Sequence, residues 1–341
     1  METKQRKKRL AGNTLLLLIT ICLFVLMYLG GCALYANKGF THLQTFLNLF
    51  ITNAGLICVS CGLTVVMLTG GIDISVGSLV ALDCMLLAYG TGTLGIPAGA
   101  MLLLCMAFGI LFGLWQGFLV GYLGIQPFIV TMAGLYFCRG LTACICSDQL
   151  SIDDPLLTKL ANLKISLPFG GYVNNKGKLM VPFVRITVIV ALLVLLVIYL
   201  LLKYTKFGRA LYAVGGSEQS ARMMGLNTRR TKLLAYTLSS TLCSVGGILY
   251  ALNTMQASVQ QAKGFEMDAI ASAVIGGTLL TGGVGNIVGT LFGVLINGVI
   301  STLIKTNGKL LSSWANIATA ALLCFFIILQ AVFAAIREKN T

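Results

Sequence analysis

Few side chains in this sequence could do chemistry, and most of those that could are carboxylates set in apolar surroundings. Asp73, Asp83, Arg139, Glu266 and Asp268 lie within or beside runs otherwise free of charge. An ionisable group is expensive in hydrocarbon, so each is a candidate functional group by position alone. Asp73 shares a Gly-rich stretch with Ser75, and Asp268 opens the segment that leads to a second such stretch, holding Thr281 and Asn286. Carboxylates, hydroxyls and amides placed there can line or gate a polar route by exchanging hydrogen bonds with a hydroxyl-rich solute. Asp73, Ser75, Asp268, Thr281 and Asn286 are therefore expected on the path or its gate, while Asp73 and Asp268 could equally cap helices at a membrane edge.

Enzymatic readings find little support. There is no Gly-x-x-x-x-Gly-Lys-Ser/Thr phosphate loop and no His-Glu-x-x-His, and the single histidine, His42, leaves no Cys/His metal pattern. Eleven cysteines include the pairs Cys58/Cys61 and Cys144/Cys146, but most fall within apolar runs, where small buried packing groups are expected. Two aspartates could form an intramembrane protease dyad, yet a Gly-Ile-Asp context alone does not carry that assignment. No catalytic group, metal site or cofactor is therefore expected on this chain, and energy for transport must come from an ion gradient or another polypeptide.

The elements that must hold these residues are membrane helices. Of 341 residues 57% are hydrophobic and only 10% charged, with mean hydropathy +0.92. Apolar runs of spanning length recur throughout, which predicts an all-α polytopic membrane protein. The net charge of +14 gathers in the N-terminal tail, a central loop and the C-terminal end, so it signals orientation and no nucleic acid. Residues 1–12 form a basic tail that stays inside. Leu29-Gly30-Gly31-Cys32 loosely resembles a lipoprotein cleavage box, but the apolar run around it is long for a signal and further spans follow.

Spans are expected near 14–31, 46–69, 77–90, 98–121, 128–146, 184–202, 233–251, 267–281, 287–304 and 313–336. Ten crossings put both termini in the cytoplasm, with a membrane domain over 13–336 and a short tail at 337–341. The polar segment 147–182 is then external. The 77–90 and 267–281 segments are short and Gly-punctuated, so each could be a broken or re-entrant piece.

The loop 203–232 carries seven Lys or Arg against one acid, Glu218, which places it on the cytoplasmic face. Gly215-Gly216-Ser217 reads as a turn into an N-cap, and Gly225 sits where a left-handed residue would end a two-turn helix. Glu218 and Arg222 are four apart in the favourable order. A small apolar face of Ala221, Met223 and Met224 suits docking into a partner's groove. The two Gly-rich stretches echo one another: Thr69-Gly70-Gly71-Ile72 through Val76-Gly77-Ser78-Leu79 recurs as Thr281-Gly282-Gly283-Val284 through Val288-Gly289-Thr290-Leu291. Duplication at corresponding places in two halves is the mark of a transporter built from repeats.

Four motifs in order, GGIDISVGSLVAL, PFIVTMAGLYFCRG, TKFGRALYAVGGSEQSARMMGLN and DAIASAVIGGTLLTGGVGNIVGTLFGV, resemble the permease subunits of bacterial ribose-type sugar importers of the ATP-binding-cassette class. The resemblance covers about residues 46–336. It implies a pore of two permease subunits, identical or sister, in the bacterial inner membrane. It implies a cytoplasmic ATPase subunit that holds the ATP and Mg, and an extracytoplasmic sugar-binding protein. The ATPase-coupling helix would be Ser217–Gly225, although the family more often has Asn at the Ser217 position and Ala at that of Ser220. Within the family, Ser151-Ile152-Asp153-Asp154-Pro155-Leu156, the run Glu266–Leu291 and Leu311-Ser312-Ser313-Trp314 are most similar to the second permease of galactofuranose importers. Other solutes, such as a nucleoside or a branched-chain amino acid, and an ion-coupled carrier are the alternatives.

Overall fold

The computed structural model describes residues 2–168, 170–173, 179–308, 311 and 313–338. Positions 174–178 of the expected external segment, Ser312, and 339–341 of the terminal tail lie outside the described residues. Thirteen α-helices carry the fold among those described: α1 (Glu2–Leu34), α2 (Leu43–Leu68), α3 (Val76–Gly92), α4 (Ala98–Gly121), α5 (Pro127–Ile145), α6 (Pro155–Asn162), α7 (Ile186–Tyr204), α8 (Lys206–Gly216), α9 (Glu218–Met223), α10 (Thr228–Thr254), α11 (Phe265–Ile275), α12 (Ile287–Asn307) and α13 (Ser313–Glu338).

The chain is an all-α polytopic membrane protein, but eight rather than ten of the expected crossings are helices long and apolar enough to span. The other two are the Gly-punctuated segments. With 11 residues, α11 is only about 16 Å long and cannot cross about 30 Å of hydrocarbon. It stops at Ile275, short of the expected 281, because Gly276 follows and Gly277 turns into the left-handed region. With 17 residues α3 is also short, because it starts only after the break at 69–75.

Two helices, α2 and α10, form the centre, with α12 beside α2. From Ala54 to Leu68 α2 is buried without interruption. On α4, glycines at 109, 113, 117 and 121 lie one helical turn apart, and each faces backbone of α10 from Ser240 down to Arg229. Without Cβ atoms the two helices approach backbone to backbone, the packing available in lipid where apolar burial gives no net drive. The outer faces of α1, α4, α5, α7 and α13 expose Leu, Ile, Val and Phe, as lipid-facing helices do.

At one end of the bundle the segment after α5 is tied down by short antiparallel pairs. Leu150–Ser151 pairs with Gln256–Ala257 after α10, and Lys164–Ser166 pairs with Phe183–Arg185 before α7. Asp154 caps α6 by accepting from the amides of Leu156 and Leu157. Cys58 and Cys61 are buried on α2 as packing groups; Cys144 is exposed and Cys146 half-buried, so that pair is not core.

Candidate functional site

Two structured places stand at opposite ends of α2. Asn53 and Leu68 on that helix are separated by about 22 Å along its axis.

At the first end a cavity of about 680 Å³ opens between α2, α10, α11 and α12. Asn48, Thr52 and Asn53 enter it from α2, Tyr250 from α10, and Ser301, Thr302, Lys305 and Thr306 from α12. Gln261 and Lys263 come from the connection before α11, and Phe265 and Asp268 from its first turn. The Tyr250 and Phe265 rings meet edge to face, 5.2 Å between centroids. Arg139 on α5 donates through Nη1 to the Val259 and Gln261 carbonyls, 2.7 Å each, and so fixes the connection that forms one wall. Asn297 on α12 holds α11 in place by donating to the Asp268 carbonyl oxygen at 3.3 Å and to Ser272 Oγ at 2.9 Å. Asp268 lines the cavity, and its carboxylate accepts no hydrogen bond among the described residues. Amides, hydroxyls, one acid and aromatic faces around a space of this size match what binds a small polyhydroxylated molecule.

The other sequence candidates are not in this cavity. Asp73 is fully buried in the break between α2 and α3. Its Oδ1 accepts from the Ser75 amide at 3.1 Å and the Ser75 hydroxyl at 2.6 Å, and its Oδ2 accepts from Ser239 of α10 at 3.1 Å. Gln116 of α4 donates to Ser75 Oγ at 2.9 Å, and Thr131 of α5 donates to the Ile72 carbonyl at 3.3 Å. Asn286 caps α12 by accepting from the Val288 amide at 2.9 Å. Thr281 is exposed in the second break, and its carbonyl faces Gly70. Thus Asp73 and Ser75 share one knot, Thr281 and Asn286 the other break, and Asp268 alone reaches the cavity. Asp83 is fully buried against Gly247 of α10, and neither carboxylate oxygen has a hydrogen-bond partner among the described residues.

At the other end α8 and α9 form a corner. Ser217 ends α8 and caps α9, accepting from the Ser220 amide at 3.2 Å. The C-terminus closes as a Schellman motif: Gly225 has φ +78°, its amide donates to Arg222, and the Leu226 amide donates to Ala221 at 3.1 Å. Glu218 pairs with Arg222 at 3.4 Å and with Lys232 at 2.6 Å, which ties α9 to the root of α10. The hydrogen bond from Lys232 holds the Glu218 carboxyl below its usual range, with the charges of Lys232 and Arg222 adding to the effect. The expected apolar face needs correction. Met223 and Met224 are 84% and 69% exposed, whereas Ala221 is fully buried, since it packs against the protein's own body. Beside α9, Arg222, Arg229 and Lys232 edge a hollow of about 400 Å³ closed by the Tyr122–Pro127 turn.

Sequence reasoning missed most of the cavity, because its lining comes from four separated segments and consists of ordinary Asn, Thr, Ser and Gln residues. It also missed Tyr212 of α8, whose hydroxyl donates to the Gly285 carbonyl at 3.0 Å. Polar residues recurring at helical spacing near the ends of α2 and α12, such as Asn48, Thr52 and Ser301, Thr302, Lys305, were the available signal.

Residues 45–332 match the family described as branched-chain amino acid transport system / permease component. The chain is 40% identical to the inner membrane ABC transporter permease protein YjfF of Escherichia coli K12, over 92% of its length and 91% of the relative's. It is 33% identical to the fructose import permease protein FruG of Bifidobacterium longum, over 95% and 93% of the two chains. It is 32% identical to the ribose import permease protein RbsC of Bacillus subtilis, over 88% of each. No solved structure matches the chain. With a polytopic helical bundle, two echoing Gly-rich breaks and matches over nearly its full length, the chain belongs to this family of ABC transporter permease components.

Proposed function

We propose that this chain is the membrane-spanning subunit of an importer that moves a monosaccharide into the cytoplasm, driven by ATP hydrolysis on a separate ATPase subunit that holds the ATP and Mg. The observation that carries this reading is the cavity lined by Asn, Thr, Ser, Gln and the Tyr250–Phe265 pair at one end of α2, with a capped, basic corner at the other. The names of the fructose and ribose relatives support a sugar as cargo. Galactofuranose is the specific sugar we assign.

The corner around α9 faces the cytoplasm, where its excess of Lys and Arg is favoured, and both termini lie on that side. The cavity then opens outward, toward an extracytoplasmic sugar-binding protein. Exposed Met223 of α9 and Met224 just after it meet the ATPase subunit, while the Glu218–Lys232 pair keeps α9 fixed to the bundle. A second permease subunit, identical or sister, completes the pore in the bacterial inner membrane. Asp268 receives solute hydroxyls, and Asp73, Ser75, Thr281 and Asn286 hold the two breaks in shape.

The test is uptake by proteoliposomes holding the complete complex, offered galactofuranose, other monosaccharides, a nucleoside and a branched-chain amino acid. Accumulation of a sugar that needs ATP and survives an uncoupler is the expected result; accumulation that an uncoupler abolishes while ATP is held constant would instead mean an ion-coupled carrier. Asp268→Asn removes one charged acceptor and should raise the concentration for half-maximal uptake by roughly tenfold or more. An unchanged value would remove Asp268 from the path.

A further inference from the structure

The helix α8 runs directly before α9, and its contacts tie the corner to both Gly-rich breaks. Gly208, Leu211 and Val214 of α8 are buried against the bundle. One turn carries two further contacts. Tyr212 donates its hydroxyl to the Gly285 carbonyl of the second break at 3.0 Å. Three residues on, the backbone of Gly215 lies against the Leu68 carbonyl, where α2 ends before the first break, and against the Gly283 amide of the second. Those two groups are bonded to each other, Gly283 donating to Leu68 at 3.0 Å. A Cβ at Gly215 would collide with both, so α8 sits directly on the hydrogen bond that joins the two repeats.

There is no slack between this contact and α9. The Ser217 amide still donates to the Ala213 carbonyl of α8 at 3.1 Å while the Ser217 side chain caps α9. A displacement of α9 therefore moves the end of α8 with it. Gly282 and Gly70 also meet backbone to backbone under this contact. Coupling between distant sites needs an element that both sites bias, and here one turn of helix touches both halves.

We propose that the Tyr212–Gly215 turn is a positioning element that hands movement of α9 to both Gly-rich breaks at once, by bearing on the Leu68–Gly283 hydrogen bond. The proposal rests on the importer reading above and names the residues through which its two ends communicate. Tyr212 and Gly215 touch no solute and no nucleotide; they act through the breaks.

The experiment uses the complete complex in proteoliposomes and reads solute moved per ATP hydrolysed, together with the amount of ATPase subunit that co-purifies. Tyr212→Phe removes a single oxygen and leaves the ring packing in place. Its expected result is normal co-purification and a ratio lowered roughly threefold or more. Gly215→Ala should lower the ratio further, because it separates α8 from the Leu68–Gly283 bond. Should Gly215→Ala fail to assemble, Tyr212→Phe decides alone. A ratio in Tyr212→Phe equal to that of the unaltered complex overturns the proposal, and so does a parallel fall in uptake and hydrolysis, since a merely structural contact would lower both together. An unaltered complex that moves no solute with ATP would overturn the importer reading and this proposal with it, whereas a working complex with an unchanged ratio overturns the proposal alone.

Discussion

The two Gly-rich breaks begin alike and are held by different means. In both, the second residue of the motif is in the left-handed region, Gly70 at φ +78° and Gly282 at φ +85°, and in both a helix begins at or just before the repeated Val-Gly. The first break then becomes part of the core: Asp73 and Ser75 bond to α10 and α4, and Thr131 reaches in from α5. The second stays in its own turns, with Leu279 donating to Val284 and Gly282 to Leu279, and takes outside support from Leu68 and Tyr212. The short helix also changes place, following the break as α3 in one half and preceding it as α11 in the other. One sequence motif thus yields a break locked by side chains and a break held by backbone contacts. Both meet the turn before α9 at Gly215, and the second alone also takes a side-chain hydrogen bond from it, through Tyr212.

The sharpest way to break this contrast is to remove the polar side chain from each. Asp73→Ala strands three buried donors, the Ser75 amide, the Ser75 hydroxyl and the Ser239 hydroxyl, and should cost at least about 3 kcal/mol. Asn286→Ala loses one helix cap and should cost about 1 kcal/mol. Thermal unfolding of the purified chain in detergent would show a larger fall in midpoint for Asp73→Ala. Equal falls would mean that the first break is no more locked than the second.

Glycine substitutions sharpen the symmetric part. Gly70→Ala and Gly282→Ala each force a Cβ into a left-handed residue, a cost of about 1–2 kcal/mol apiece, and at Gly282 that Cβ would also collide with the Gly70 backbone, so its loss should be the larger. Their backbones touch, so either substitution moves the shared contact, and the double variant should lose less than the sum. Strict additivity in the same unfolding measurement would show that the two breaks do not bear on each other.

How much of this could be read in advance depended on how local the signal was. Helices α4, α5 and α7 begin and end within about two residues of the apolar runs, because lipid makes hydropathy nearly sufficient. The start of α10 was not visible: Thr228-Arg229-Arg230-Thr231-Lys232 is helical, capped by Asn227, yet too polar to register as part of a span. The cap at Ser217 and the left-handed Gly225 were legible because capping is written in adjacent residues. The inward turn of Ala221 was not, since six residues of helix do not fix which side meets the bundle. The cavity was least legible of all. Asp268 stood out as a charge in an apolar run, but its neighbours Asn53, Tyr250 and Thr302 become neighbours only when α2, α10 and α12 pack.

The smallest expected effect concerns how firmly the corner that supports the second break is itself anchored. Glu218 binds Lys232 across the start of α10, and its carboxyl is held below the usual range in the folded chain. A depressed folded pKa means that the stabilisation is fully present above the unfolded value of about 4.3 and fades as the pH falls through the lower folded value. At neutral pH the pair is therefore complete, and acid should loosen α9 as the Glu218 carboxylate is neutralised. Because Glu218 is 40% exposed, the pair is worth less than about 1 kcal/mol. Hydrogen exchange at the α9 amides should quicken modestly as the pH is lowered below about 4, after correction for intrinsic rates, while α2 amides stay protected. Glu218→Gln should show the faster exchange already at neutral pH and lose the acid dependence. If the unaltered chain and Glu218→Gln exchanged alike at every pH, the corner would be held by the Ser217 cap and the Schellman end alone, and the second break would be supported by packing of α8 without help from charge.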